Sequence, residues 1–367
     1  MTLALCLAAC LTFLPIGELL TLPIASAEML ISAMLTNCRP KCEEDWKKSS
    51  GVTEGISTMK ATIGMFRSDS LLFALVLVLL SPVTAFRQPL RKPEFRIKTG
   101  QVDDIGRIDY DTKTGDYIFR WKGLDGTEKR AIFIPEWKAK LTVTATVHKT
   151  QKGFRYTYVL TNAPKSPQAV VLFELAMTQE PEDVRVSHGW KFWGVSETVV
   201  GKLASFSTYK GLPLKPGQSL KIEFFSRFPP GVVKCYAAGD APIMKVPEEM
   251  PGELQDRLPK GIAQSYLWGW TIGPIERVSL PRLFTDWQIA IKEGWVKDEK
   301  VARQITKELR QILQMVRQKR SEEVQKRVRT LVQFVRQNRK LFEPEAQALL
   351  LLTLPYLTGR LRGNSKG

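Results

Sequence analysis

Five basic residues recur along one stretch of the chain, Lys300, Arg303, Lys307, Arg310 and Arg317, at intervals of three, four, three and seven. On a helix those intervals keep the side chains on one face. The chemistry open to such a row is attraction of the carboxylates, sulfates or phosphates of an anionic polymer. A second set is aromatic: Trp190, Phe192 and Trp193 cluster in HGWKFWG, and Trp268 and Trp270 follow later. Indoles can stack on the apolar faces of sugar rings, but they also fill cores. Strand alternation would put Trp190 and Phe192 on one face and Trp193 on the other, so at least one belongs to a core. The candidate ligand contacts are therefore Lys300, Arg303, Lys307 and Arg310, with Trp190 and Trp193.

Other chemistry finds little support. The chain has only two histidines, His148 and His188, and no G-x-S-x-G, P-loop, G-x-G-x-x-G or H-E-x-x-H string occurs. Asp109, Asp111 and Asp116 in DYDTKTGD imitate a calcium loop, but Lys113 stands at a ligand position, Gly115 is displaced and Arg120 replaces the closing Glu. Glu180, Glu182 and Asp183 are adjacent in a loop, whereas glycoside hydrolysis needs two carboxyls held roughly 5 to 9.5 Å apart across a cleft. His188 with Cys235 would make a nucleophilic pair only if the fold oriented both; a core thiol and a turn histidine are the plainer reading. No catalytic residue, cofactor or metal site is expected.

The elements that must position these residues change character along the chain. From about 95 to 240 the pattern is short and alternating. IDYDTKTGDYIFRW reads as two strands around a turn at Lys113 to Gly115, and KLTVTATVHKTQKGFRYTYVL repeats the device with its turn at Lys152-Gly153. Leu141, Val143, Ala145 and Val147 share a face. AVVLFELAM and SLKIEFFSRF add strands, and the spacing predicts an antiparallel sandwich. Residues 246–280 are expected as a proline-rich connector. After Pro281 the period is helical, predicting a first helix from Phe284 to Glu293 that stops at Gly294. A second follows, capped by Asp298, with Val301, Ile305, Leu309, Ile312 and Val316 as its stripe. Ser321 would cap a third, and a fourth opens at Glu343-Pro344 and runs until Pro355 interferes. The fold class read from the sequence is thus β then α, a sandwich followed by a small four-helix bundle, the two halves folding independently.

Residues 65–86, MFRSDSLLFALVLVLLSPVTAF, join a basic residue, ten apolar residues from Leu71 to Leu80, and small residues before Phe86. That succession predicts a signal peptide over 59–85, with an uncleaved transmembrane anchor as the alternative. Residues 1–58 read as an upstream extension or weak membrane segment. Of five cysteines only Cys235 follows the signal, so no disulfide can form within the exported part. That part carries 48 basic and 30 acidic residues, +18, against +17 for the whole chain, and residues 281–367 alone hold 19 basic and 9 acidic. Such a balance points to anionic partners.

Two resemblances follow from particular residues. YTYVLTN at 156–162, HGW at 188–190, ASFST at 204–208, LKPGQSL at 214–220 and PPG at 229–231 resemble the immunoglobulin-like sandwich modules of exported bacterial proteins, placing that module over 86–245. Gly294, Trp295 and Val296, then Val301, Ala302 and Leu309, then Leu331, Phe334 and Val335, and finally Leu341, Ala346 and Leu350 give residues 281–367 the look of a FIMAH domain. This second resemblance implies a surface-associated helical module without a catalytic role. Together the readings describe an exported, extracytoplasmic binding or adhesion protein that contacts an anionic cell-envelope polymer or polysaccharide, with proximity to a membrane and no nucleic acid. An accessory module of a carbohydrate-active enzyme, or such an enzyme itself, is the alternative.

Overall fold

The computed structural model describes residues 89–100, 104–208, 211–242 and 246–363, and the expected extension and signal over 1–85 lie outside them. Strands β1 (Arg107–Tyr110), β2 (Tyr117–Lys122) and β3 (Glu128–Phe133) form an antiparallel meander. Its first turn lies where Lys113 to Gly115 predicts it. Asp111 builds that turn by accepting from the Lys113 and Thr114 amides, and Gly115 takes a φ of +76°. The sheet has its own small core of Ile108, Phe119 and Trp121 against Ile97, Met250 and Leu254. It is therefore a separate sheet from the sandwich expected to include it, touching the main core through Tyr117 and Phe133.

Two further antiparallel sheets face each other across the main core. One has the order β4-β5-β10-β7, from Leu141–Lys149, Phe154–Asn162, Ser219–Ser226 and Glu182–Val186. The other has the order β12-β11-β6-β9-β8, from Leu267–Pro274, Pro230–Gly239, Val170–Ala176, Gly201–Thr208 and Trp190–Thr198. Period-two alternation turns Phe154, Tyr156, Tyr158 and Leu160 inward on β5, and Leu220, Ile222 and Phe224 on its neighbour β10. Aromatic contacts cross the gap: Tyr158 meets Phe224 at 5.6 Å on its own sheet and Phe173 at 6.4 Å on the other. The Tyr158 hydroxyl donates to the Ile272 carbonyl at 2.7 Å, giving a phenol in the dry core its partner.

Residues 246–280 are more structured than a connector. They hold helical turns at Gly252–Gln255 and Ile262–Ser265, and then β12, which pairs along the whole of β11 from Pro230↔Pro274 to Ala237↔Leu267. Proline sits at the end of this edge strand, where no ladder bond is lost.

Helices follow: α1 (Leu280–Lys292), α2 (Glu299–Arg317), α3 (Ser321–Gln337), α4 (Pro344–Ala348), a π turn (Leu349–Thr353) and α5 (Leu354–Gly363). Helix α1 begins four residues before Phe284, because Ser279 caps it and Pro281 is tolerated in the first turn. It ends as expected at Gly294, φ +71°. Asp298 caps α2 through the Lys300 and Val301 amides at 2.8 and 3.0 Å. Ser321 is not a cap but the first residue of α3; the residue before it, Arg320, pairs with Glu323 instead. Pro355 does not stop the last helix. It lacks the N–H that would bond the Leu351 carbonyl, and the wider π turn ahead of it lets the chain continue to Gly363.

These helices share the sandwich's core. All described residues fall within one compact unit, Ala85–Gly367, and one set of buried side chains runs from Leu141 and Phe173 through Trp287 and Ile305 to Leu349. Buried polar contacts bind the layers. Glu345 of α4 accepts from the Ala145 amide on edge strand β4 at 2.6 Å. Asp286 of α1 accepts from the Val232 amide at 3.1 Å, and Arg282 donates to the Val232 carbonyl at 2.8 Å. Thr353 donates to the Pro230 carbonyl. Among the described residues no helix is long and apolar enough to cross a membrane.

Candidate functional site

Helix α2 carries the predicted basic row. Ala302, Ile305, Leu309 and Ile312 are buried beneath it, and Lys300, Arg303, Lys307 and Arg310 are all exposed on the far face. The amphipathic period thus does what the spacing requires: the apolar stripe fixes the helix, and the helix holds four cations in line. Arg303 pairs with Glu299 one turn back at 3.5 Å, and Arg310 lays its guanidinium over the Phe284 ring at 5.7 Å. Among the described residues no carboxylate pairs with Lys300, Lys307 or Arg310. Glu308, which the sequence offers as partial relief of this charge, turns to α3, where it accepts from Arg327. A groove of about 490 Å³ runs along that flank, lined by Ile305, Glu308, Arg327, Leu331 and Phe334 among others.

The two predicted tryptophans part company on β8. Trp190 belongs to the core at 5% exposure, and its indole N–H donates to the Leu212 carbonyl at 3.1 Å, so it offers no face to a ligand. The reason is the turn before it: His188 and Gly189 take positive φ, 60° and 72°, and swing Trp190 inward. Trp193 is 54% exposed and faces outward, with the Lys191 ammonium 4.9 Å from its ring. A bulge between Phe192 and Val195, eased by Gly194 at φ +101°, sets its direction. The structure thus gathers the four cations on one helix and separates the two indoles onto opposite faces of one strand.

Most of the discounted acids have structural occupations. Glu182 pairs with Arg227 at 3.2 Å, and Asp183 pairs with Arg155 at 2.7 Å and Arg185 at 3.2 Å. The hydrogen bond from Arg155 is the main cause that holds the Asp183 carboxyl below its ordinary range. Asp109 pairs with Arg107 and Arg120, and Asp116 with Lys138. Cys235 is fully buried, which pushes its thiol far up from the ordinary value, while His188 lies on an exposed turn. A buried thiol held protonated is no nucleophile.

One grouping escaped the sequence reading. Trp268 and Trp270 lie beside Lys234 and Arg91, because β12 pairs with β11 in the register Lys234↔Trp270. The sequence shows the two indoles as a cluster in an expected connector; neither the strand that carries them nor the cations beside them, which come from elsewhere in the chain, were legible. No protein-family model matches the chain, and no curated protein sequence does either.

Proposed function

We infer that the chain is a non-catalytic, envelope-associated binding protein, exported by the segment over 59–85, that holds an anionic polymer or acidic polysaccharide through α2. In this reading the facing sheets are an immunoglobulin-like sandwich and the helices a FIMAH-like four-helix module, a resemblance that rests on the residues quoted for it. The observation that carries the reading is the row Lys300, Arg303, Lys307 and Arg310, exposed in line on a helix whose other face is locked into the core. Among the described residues a single ion pair, Arg303 to Glu299, offsets it. Cations so placed keep most of their charge available to a polymer, and their attraction is screened over about 8 Å at physiological salt.

Replacing all four with Gln keeps helix propensity and leaves the buried face untouched. Cosedimentation with purified wall polymer should fall at least tenfold. Melting should barely move, because exposed ion pairs contribute only about 0 to 1 kcal/mol. Unchanged binding by a folded quadruple variant rejects this face as the contact.

A further inference from the structure

The outer face of edge strand β12 holds a second arrangement, built from residues far apart in sequence. In Trp268-Gly269-Trp270 alternation sends both indoles to the sheet face opposite the buried Leu267, where they remain half-buried and Trp270 also packs against the main core. Gly269 between them has no side chain to turn inward, and Leu90 fills that space: a Cβ there would lie 2.5 Å from Leu90 Cδ2. The two rings meet edge to face at 6.4 Å. Lys234, exposed on β11, places Nζ 5.6 Å from the Trp268 ring and 5.7 Å from the Trp270 ring, between the two. Arg91 lays its guanidinium 5.4 Å from the Trp268 ring. It is fixed there by backbone bonds to Trp268 at 2.7 and 2.9 Å and by both carboxylate oxygens of Glu293 at 2.8 and 2.9 Å.

The charges are not equivalent. Arg91 is neutralised by Glu293, whereas among the described residues no carboxylate pairs with Lys234. The rings attract the Lys234 ammonium through their electron-rich faces but accept none of its hydrogen bonds in the ordinary sense. Three donors on one mobile cation thus stand over two indole faces whose orientation is set by the sheet and by Arg91. A ligand matched to this floor has a flat apolar face for an indole and one anionic group for the ammonium. A sugar ring bearing a carboxylate has both. A bare phosphate would leave the indoles unused, and an apolar peptide would bury the ammonium without a partner, which costs more than the contact returns.

We propose that Trp268, Trp270 and Lys234 form a binding site for a uronate residue of an acidic polysaccharide. The site uses none of the α2 residues, so either reading can fail alone. Calorimetric titration of the full chain with an oligogalacturonate, beside a neutral gluco-oligosaccharide of equal length, tests it. The uronate oligomer should bind and the neutral one bind at least tenfold more weakly. Trp268→Ala should weaken uronate binding at least tenfold and Lys234→Gln at least fivefold with a flatter salt dependence, while Lys234→Arg restores most of the affinity. If Trp268→Ala does not fold, Trp268→Phe, which keeps a ring in place with less stacking face, should still show a measurable loss. Equal binding of the neutral oligomer, or full affinity in folded Lys234→Gln, overturns the proposal. Loss of uronate binding in the quadruple α2 variant with full affinity in Lys234→Gln also overturns it and leaves α2 as the polymer contact.

Discussion

Asp286 is the residue on which the docking of helices to strands can be tested most sharply. It is 1% exposed, and its carboxylate is divided between Arg282 Nε at 2.8 Å and the Val232 amide at 3.1 Å. Val232 lies on β11 beyond the stretch that pairs with β6, which begins at Cys235, so one side of its backbone has no strand beside it. Asp286 supplies the missing acceptor and Arg282 the missing donor. In Asp286→Ala the Val232 N–H is left buried and unpaired, which costs about 1 to 3 kcal/mol. Arg282, half exposed, adds at most about 1 kcal/mol because solvent screens its loss. A total near 3 kcal/mol lowers the melting temperature by about 6 to 12 °C in a unit of this size. Asp286→Asn keeps an acceptor for the amide and should cost less than half as much. Burial, outweighing Arg282, raises the Asp286 carboxyl above its ordinary value. Its contribution is therefore fully present below the unfolded value and declines as pH rises through the folded one, so the deficit of the alanine variant should widen as the solution is acidified. Calorimetry should show one transition that moves as a whole. Two transitions of which only the helical one moves, or a shift under about 1 °C, would refute the shared core and restore independent halves.

Two further outcomes follow from buried side chains. Glu174 is 7% exposed, with one oxygen accepting from Ser205 at 2.9 Å and the other unpartnered, and burial raises its carboxyl above the ordinary value. The wild-type chain thus loses stability as pH rises through that value and Glu174→Gln does not, so the variant's advantage in melting temperature should grow from acid to neutral pH, as melts across that range would show. On β8, Trp190→Ala should cost about 3 to 5 kcal/mol through the cavity it leaves, whereas Trp193→Ala should stay within about 0.5 kcal/mol; urea unfolding of the pair checks the assignment of one ring to the core and the other to the surface.

What the sequence disclosed and what it hid divide along physical lines. The hairpin of β4 and β5 was legible because one buried face forces strict alternation, and a slip of one residue would expose the whole set from Leu141 to Leu160. The stripe of α2 was legible for the same reason at a period of 3.6. The docking residues were not. Arg282 and Asp286 look like an ordinary i,i+4 surface pair, and Glu345 looks like an acid placed in a first turn to suit the helix dipole. Only the fold shows that both acids are buried against strand amides. Lys234 was hidden differently. In GVVKCYAAG it is a lone charge in an apolar run, and its place between two indoles depends on the β11–β12 register, which no local pattern encodes. Strand β12 itself was masked by the density of prolines around it.

The contacts that escaped the sequence are those that close the sheet edges. An edge strand presents unpaired N–H and C=O groups, and two facing sheets of four and five strands have four such edges, β4 and β7 in one and β12 and β8 in the other. Leu90 donates to the Leu141 carbonyl on β4 at 2.7 Å, while the next residue, Arg91, exchanges two backbone bonds with Trp268 on β12. Two consecutive residues thus bridge one sheet to the other. Farther along β4, Glu345 takes the Ala145 amide. Cys235, the free cysteine among the described residues, is buried on β11, so no disulfide performs this closure there. A chain of strands alone, from 141 to 274, would keep most of its inward-facing aromatic core and still lose the groups that cover the β4 and β12 edges. Burial alone therefore does not explain the unit: the N-terminal residues and α4 cover the β4 and β12 edges, and Arg91, in covering one of them, also sets the indole that lies beside Lys234.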